Sequence, residues 1–139
     1  MTHSEIAVLL KERGIRATPQ RIAVYQYLDE HRVHAQADTI YETVVEQYPS
    51  FSRTTIYNSI RALEEAGLIR PVIIDGTVVR YDANTSDHGH FKCLRCSQVT
   101  DVMDSPHTTI PKSLRSCETK HCVINYYGLC PGCREAAAV

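Results

Sequence analysis

Two cysteine pairs constrain this chain more than any other feature. Cys93-Leu-Arg-Cys96 and Cys130-Pro-Gly-Cys133 stand 33 residues apart in the last third of a 139-residue sequence. Each CxxC knuckle can offer two thiolates to one metal, and four cysteines make a closed tetrahedral zinc site. One such pair alone would be ambiguous with a redox motif, and two disulfides or free thiols are the competing reading of both. The separation exceeds that of a simple zinc ribbon, so the segment between must be a folded excursion whose ends meet. A structural zinc contributes an apparent ~10–16 kcal/mol, enough to hold a half too small for a large core.

No apolar run approaches the ~20 residues needed to span a bilayer. "MTHSEIAVLLKERG" lacks the basic and long apolar regions of a signal peptide. A cytoplasmic protein with no membrane partner is the expectation, and there six cysteines read as metal ligands or redox centres rather than a disulfide framework. Cys117 and Cys122 are left over and read as small, half-buried hydrophobes. Cys122 directly follows His121, which leaves an extra metal or redox role open.

The N-terminal half is punctuated differently. In "ATPQRIAVYQYLDEH", Thr18 is a good N-cap and Pro19 suits the first helical position, where its missing N–H costs nothing. Ile22, Tyr25 and Leu28 then share a face. "ADTIYETVVEQY" repeats Ile40, Tyr41, Val44, Val45 and Tyr48 at the helical period, and Pro49 closes it. In "SFSRTTIYNSIRALEEAGLI", Ser52 is the expected N-cap, Ile56, Ile60 and Leu63 the buried stripe, and Gly67 the C′ glycine. "LIRPVIIDGTVVRYD" places two β-branched runs around Asp75-Gly76, a hairpin signal for a type I′ turn. Pro71 cannot donate to a ladder, so its strand belongs on an edge. Three helices and a hairpin make an N-terminal winged helix-turn-helix, with residues 69–82 as the wing. "DANTSDHG" is the best linker. Beyond it, "HFKCLRCSQVTDVMD" and "KHCVINYYGLC" read as strands, with one short helix near Pro111 between them. The whole is an α+β chain: a winged-helix domain over 1–83, a hinge over 84–90 that contributes metal ligands, and a zinc-stabilised domain over 91–139.

Charge argues against a nucleic-acid partner at first sight. The net formal charge is −1, and residues 1–83 carry nine Lys+Arg against eleven Asp+Glu. A winged helix, however, needs a polar, cationic helix end in the major groove rather than a basic domain. Helix 52–66 offers Ser52, Arg53, Thr54, Thr55, Tyr57, Asn58 and Arg61 near its N-terminal half, where the helix dipole favours phosphate. Arg53 or Arg61 suits guanine, and Tyr57 a thymine methyl. Arg13, Arg16 and Arg21 gather near the start of the domain, placed for the backbone or a minor groove. Acidic residues elsewhere would suppress non-specific binding.

With four cysteines assigned to zinc, His88 and His90 need another role. Residues i and i+2 of an extended segment share a face, so both imidazoles can reach one ion. Asp82, Asp101 and His34 are candidate partners, among which composition does not select. Imidazole and carboxylate ligands suit Fe(II), Mn(II), Zn(II) or Co(II).

Taken in order, "GIRATPQR", "HAQADTIY", "SRTTIYNSIRALEEAGLI", "RYD", "DHGHFKCLRC" and "YYGLCPGC" resemble the ferric uptake regulator family over nearly the whole chain. The resemblance implies a homodimeric, metal-dependent transcriptional repressor that binds a pseudo-palindromic double-stranded DNA operator through its winged helix. Its C-terminal α/β domain would be the dimerisation domain. By position it implies a regulatory Fe(II) or Mn(II) site on His34, Asp82, His88, His90 and Asp101, beside a structural Zn(II) on Cys93, Cys96, Cys130 and Cys133. Asp at both acidic positions is similar to the peroxide-stress branch, in which Fe(II) and peroxide oxidise ligand histidines, here His34 and His88. An additional family site is expected to be absent: Gly89 interrupts the histidine run, Cys122 replaces a histidine, and Thr108 falls near an expected Glu. A sensor of iron or zinc availability without histidine oxidation is the alternative. A zinc-dependent hydrolase or redox enzyme is remote, because a Cys₄ zinc has no open position for water.

Overall fold

The computed structural model describes residues 1–31, 34–104, 110–120 and 122–137. They divide into two compact units, Met1–Thr85 and Ser86–Val139.

The first unit is four helices and a hairpin: α1 (His3–Glu12), α2 (Pro19–His31), α3 (Ala37–Gln47), α4 (Arg53–Glu65), β1 (Arg70–Ile73) and β2 (Val79–Asp82). Helix α1 adds to the three expected. It opens with a capping box, the Thr2 hydroxyl accepting from the Glu5 amide while the Glu5 carboxylate accepts from the Thr2 amide at 2.6 Å. Thr18 caps α2 by accepting from the Arg21 amide at 3.3 Å, and Ser52 caps α4 by accepting from the Thr55 amide at 3.2 Å. Gly67 has φ +73°. The Gly67 and Leu68 amides donate to the Glu64 and Leu63 carbonyls, a Schellman closure of α4.

The helical periods all turn inward. Ile6 and Leu10, Val24 and Leu28, Ile40 and Val44, and Ile56, Ile60 and Leu63 meet Leu68 and Ile69 in one core. Each such side chain contributes about 1.5–3 kcal/mol on burial. The hairpin pairs Arg70 with Asp82 through Ile73 with Val79, and Pro71 lies on the edge strand β1. The type I′ turn is corrected. Five residues link the paired ends, and only Gly76 among them has positive φ, with the Val78 amide closing onto the Asp75 carbonyl. A single positive φ at the first central position marks a type II′ turn.

The second unit holds β3 (Gly89–Cys93), β4 (Val99–Val102), a 3₁₀ turn at Lys112–Leu114, β5 (Asn125–Gly128) and α5 (Pro131–Ala137). The sheet order is β4-β3-β5, with β3 antiparallel to β4 and parallel to β5. The 3₁₀ turn falls where the short helix was expected, whereas α5 was not anticipated. Cys117 and Cys122 are exposed rather than half-buried, another correction. They lie in irregular chain at the surface, where the neighbouring Leu114 and Val123 are exposed as well. Thr108 and His121 lie outside the described residues.

Candidate functional site

The parallel pairing of β3 with β5 brings the two cysteine knuckles together. Cys93 ends β3 opposite Gly128, and the Leu94 amide donates to the Gly128 carbonyl at 2.7 Å. The first knuckle folds back through Ser97 at φ +64°, its amide donating to the Cys93 carbonyl. The second ends at α5, with Pro131 as the first helical residue. One sulfur position from each of the four cysteines lies within 4.8 Å of the others, and all six cysteines of the chain are free thiols.

The Sγ atoms of Cys96 and Cys130 are 3.9 Å apart. A disulfide needs about 2.0 Å, whereas a tetrahedron with ~2.3 Å metal–sulfur bonds has sulfur–sulfur edges of about 3.8 Å. The spacing therefore fits ligands around one zinc-sized ion. The Cys130 and Cys96 amides donate to the Cys93 sulfur at 3.4 and 3.5 Å, and hold its thiol down at about 5. Hydrogen bonding with Cys130, then burial, pushes the Cys133 thiol up to about 12. One thiolate is thus ready for a cation, and another thiol yields its proton only when a cation replaces it.

The histidines and carboxylates form a group in each unit. In the first unit, His34 Nε2 stands 3.3 Å from Asp82 Oδ2, with both side chains buried. Strand β2 builds this pair. The Arg80 guanidinium donates to the His34 carbonyl at 3.0 Å, the Tyr81 amide donates to the Ala35 carbonyl at 2.9 Å, and Asp82 follows. The other Asp82 oxygen accepts from the Asn84 amide at 2.8 Å, which fixes the carboxylate's rotation.

In the second unit, His90 faces Asp101 across the β3–β4 register. Asp101 Oδ1 lies 3.3 Å from His88 Nε2 and 3.6 Å from His90 Nε2. The two rings stand edge to face with centroids 4.6 Å apart, as an i, i+2 pair on one face should. The His88 Nδ1 is 2.6 Å from the Ser86 carbonyl, a contact that assigns the proton to Nδ1 and leaves Nε2 as the metal-facing nitrogen. Nitrogen and oxygen ligands at ~2.1 Å from one ion lie about 3.0–3.4 Å apart, tetrahedral angles giving the wider value. The two 3.3 Å separations fall in that range, while the 3.6 Å one is slightly wider. These donors suit a borderline or hard divalent cation.

Of the residues proposed to meet DNA, Arg16, Ser52, Arg53, Thr54, Asn58 and Arg61 are exposed, and Arg21, Thr55 and Tyr57 are half-buried. Arg21 braces the loop before α2 by donating to the Arg16 carbonyl at 3.0 Å. Ser52 and Thr55 meet each other at the α4 cap. Asp38 was missed by the sequence reading. Its carboxylate accepts from Arg53 at 3.1 Å and from the Tyr57 hydroxyl. Its only sequence signal is an acidic residue in the first turn of α3.

The Ferric uptake regulator family model matches residues 12–127. The chain belongs to the ferric uptake regulator family. Within it, the chain is 33% identical over 130 residues to the peroxide operon regulator of Bacillus subtilis, covering 91% of this chain and 89% of that protein. It is 30% identical over 129 residues to the peroxide-responsive repressor PerR of Staphylococcus aureus strain Mu50, covering 91% and 87%. The crystal structure of the Campylobacter jejuni peroxide stress regulator superposes with a TM-score of 0.71 at 27% identity, covering 91% of this chain and 97% of that one.

Proposed function

We propose that this ferric uptake regulator family member is a cytoplasmic, homodimeric, metal-dependent transcriptional repressor of the peroxide-responsive kind, and not an enzyme. In this reading, α4 and Arg16 face a pseudo-palindromic DNA operator. Structural zinc is held by Cys93, Cys96, Cys130 and Cys133, and one regulatory Fe(II) or Mn(II) by His34, Asp82, His88, His90 and Asp101. The observation that carries the peroxide reading is the pair of aspartates, Asp82 and Asp101, each placed against histidine nitrogen, in a chain most of whose length aligns with two peroxide regulators.

The second unit supports dimerisation by what it lacks. Among its described residues Cys93 is the one buried hydrophobe, while Leu94, Met103, Ile110, Val123, Tyr127 and Leu129 are exposed. A sheet this thin needs a metal staple and a partner surface. No helix among the described residues is long and apolar enough to cross a membrane.

Bound Fe(II) would supply the electrons that reduce peroxide and lead to oxidation of a neighbouring imidazole, whereas Mn(II) would not. The chain's own residues orient the nitrogens: Ser86 sets the His88 ring, and Arg80 and Tyr81 set the His34 segment. In this reading residues 84–90 serve as the hinge, the last two of them, Gly89 and His90, also opening β3. The test is to load the protein with Fe(II), add hydrogen peroxide and map oxidation by peptide mass spectrometry. The tryptic peptide "YDANTSDHGHFK" carries His88 and His90, and the peptide starting at Val33 carries His34. One added oxygen at His34 or His88, absent with Mn(II), supports the reading. Oxidation confined to cysteines overturns it in favour of a thiol switch.

A further inference from the structure

We infer that Asp38 is a specificity-determining residue of the DNA-reading surface: its carboxylate occupies Arg53 and Tyr57 and withholds both from phosphates on arbitrary sequence. The inference rests on the proposal that α4 reads DNA. Four observations meet at one place. The Arg53 guanidinium donates to Asp38 at 3.1 Å and to the Tyr57 hydroxyl at 3.1 Å. Tyr57 donates to the same Asp38 oxygen. The guanidinium also lies over the Tyr41 ring, 4.4 Å from its centroid. Helix α3 thus supplies a carboxylate and an aromatic face, one turn apart, that together grip the first residue of α4.

The cluster is not a core brace. The Arg53 side chain is 53% exposed and that of Asp38 70%, and an exposed ion pair contributes little to stability. Its consequence is electrostatic. A carboxylate on the face that meets a polyanion repels any phosphate approaching Arg53, whichever of its N–H groups that phosphate would take. A guanine edge is uncharged and feels far less of that repulsion, and it takes two of the five guanidinium N–H donors from the side that Asp38 and Tyr57 leave open, since both engage Nη1. Asp38 therefore weakens non-specific binding more than specific binding, and specificity is that difference. Removing it would strengthen binding where no base partner exists.

The test uses full-length, zinc-replete, Mn(II)-loaded protein in fluorescence anisotropy. One duplex has mixed sequence, and the other is selected by the wild-type protein from a random pool. Asp38→Asn should bind the mixed duplex roughly 3- to 10-fold more tightly, with a salt slope steeper by about 0.9 for one added phosphate contact. The selected duplex should gain less, so the ratio of the two affinities narrows. Asp38→Glu keeps the charge and should behave as wild type, and circular dichroism checks folding of each variant. In an Arg53→Gln background the Asp38→Asn effect should shrink to a small part of its size. Unchanged affinity and slope for Asp38→Asn overturn the inference, as does the same gain without Arg53. If Arg53→Gln and Tyr57→Phe alter neither duplex, the DNA-reading role of α4 falls, and this inference with it.

Discussion

The Arg80 guanidinium reaches from β2 to the backbone of His34, donating to its carbonyl oxygen at 3.0 Å while also pairing with Asp75 at 3.4 Å. The wing thereby fixes the chain segment that carries one proposed ligand, two residues before its own Asp82 supplies another. Arg80 touches no ligand atom and acts as a positioning residue.

Replacing Arg80 by Gln should therefore weaken Mn(II) binding by roughly 10-fold, the low end for losing an outer-sphere partner. Zinc retained by the four cysteines should not change. Calorimetric Mn(II) titration and a zinc assay on the same samples read the two sites separately. Equal Mn(II) affinity in the variant would remove Arg80 from the account.

Zinc removal should expose the unequal thiols. In the metal-free form Cys93 is held at about 5 by amide hydrogen bonds, below the ordinary thiol value. Its stabilising contribution is present above that ordinary value and is lost as pH falls through about 5. Cys133, raised to about 12, works the other way, contributing below the ordinary value and losing that contribution as pH climbs through about 12. Thiolate absorbance near neutral pH should thus include one ionised sulfur that Cys93→Ser abolishes, read on chelated protein whose retained sheet is checked by circular dichroism. An unchanged signal in that variant would place the low value elsewhere.

Gly67→Ala tests backbone conformation without a clash. An added Cβ would meet only the Arg13 Nη1, at 3.8 Å, but φ at +73° strains any L side chain. The cost should be about 1–2 kcal/mol, seen as a lower urea midpoint with an unchanged slope. A neutral result would mean that the Schellman turn relaxes at no cost.

Tyr81 should make the first unit sensitive to alkali. Burial, and then the Glu64 charge, raise its phenol above the ordinary value of 10.0. Its neutral form is the one the fold accommodates, so stability is intact below that value and declines as pH rises through the shifted one. Tyr81→Phe should delay the loss, measured by urea midpoints between about pH 9 and 11. If wild type and variant fall together, another group governs the decline.

What the sequence disclosed follows from how local each signal is. The α4 cap and stop were legible because Ser52 and Gly67 act on their own neighbours, and the buried stripe because helical period alone defines it. The turn at Asp75-Gly76 was misread because the dipeptide signals a reversal without counting the residues that close it. Helix α1 was missed although Thr2 and Glu5 stand at capping-box spacing, and α5 because seven residues after Cys130 carry too little period. For the cysteines, spacing proposed the partners and the β3–β5 pairing placed them together. Neither Asp38 nor Arg80 had a comparable signal, since each acts on a residue at least fifteen positions away through a contact that only the tertiary fold creates.

The parallel pairing of β3 with β5 has a consequence for how such a chain can diverge. It fixes β5 beside β3 as firmly as the antiparallel ladder fixes β4 on the other edge, so the chain joining β4 to β5 runs between two anchored strands. Doubling such a loop costs only ~0.6 kcal/mol in closure entropy. Evolution, or an engineer grafting a new segment, can lengthen or trim it while the cysteine cage keeps its shape.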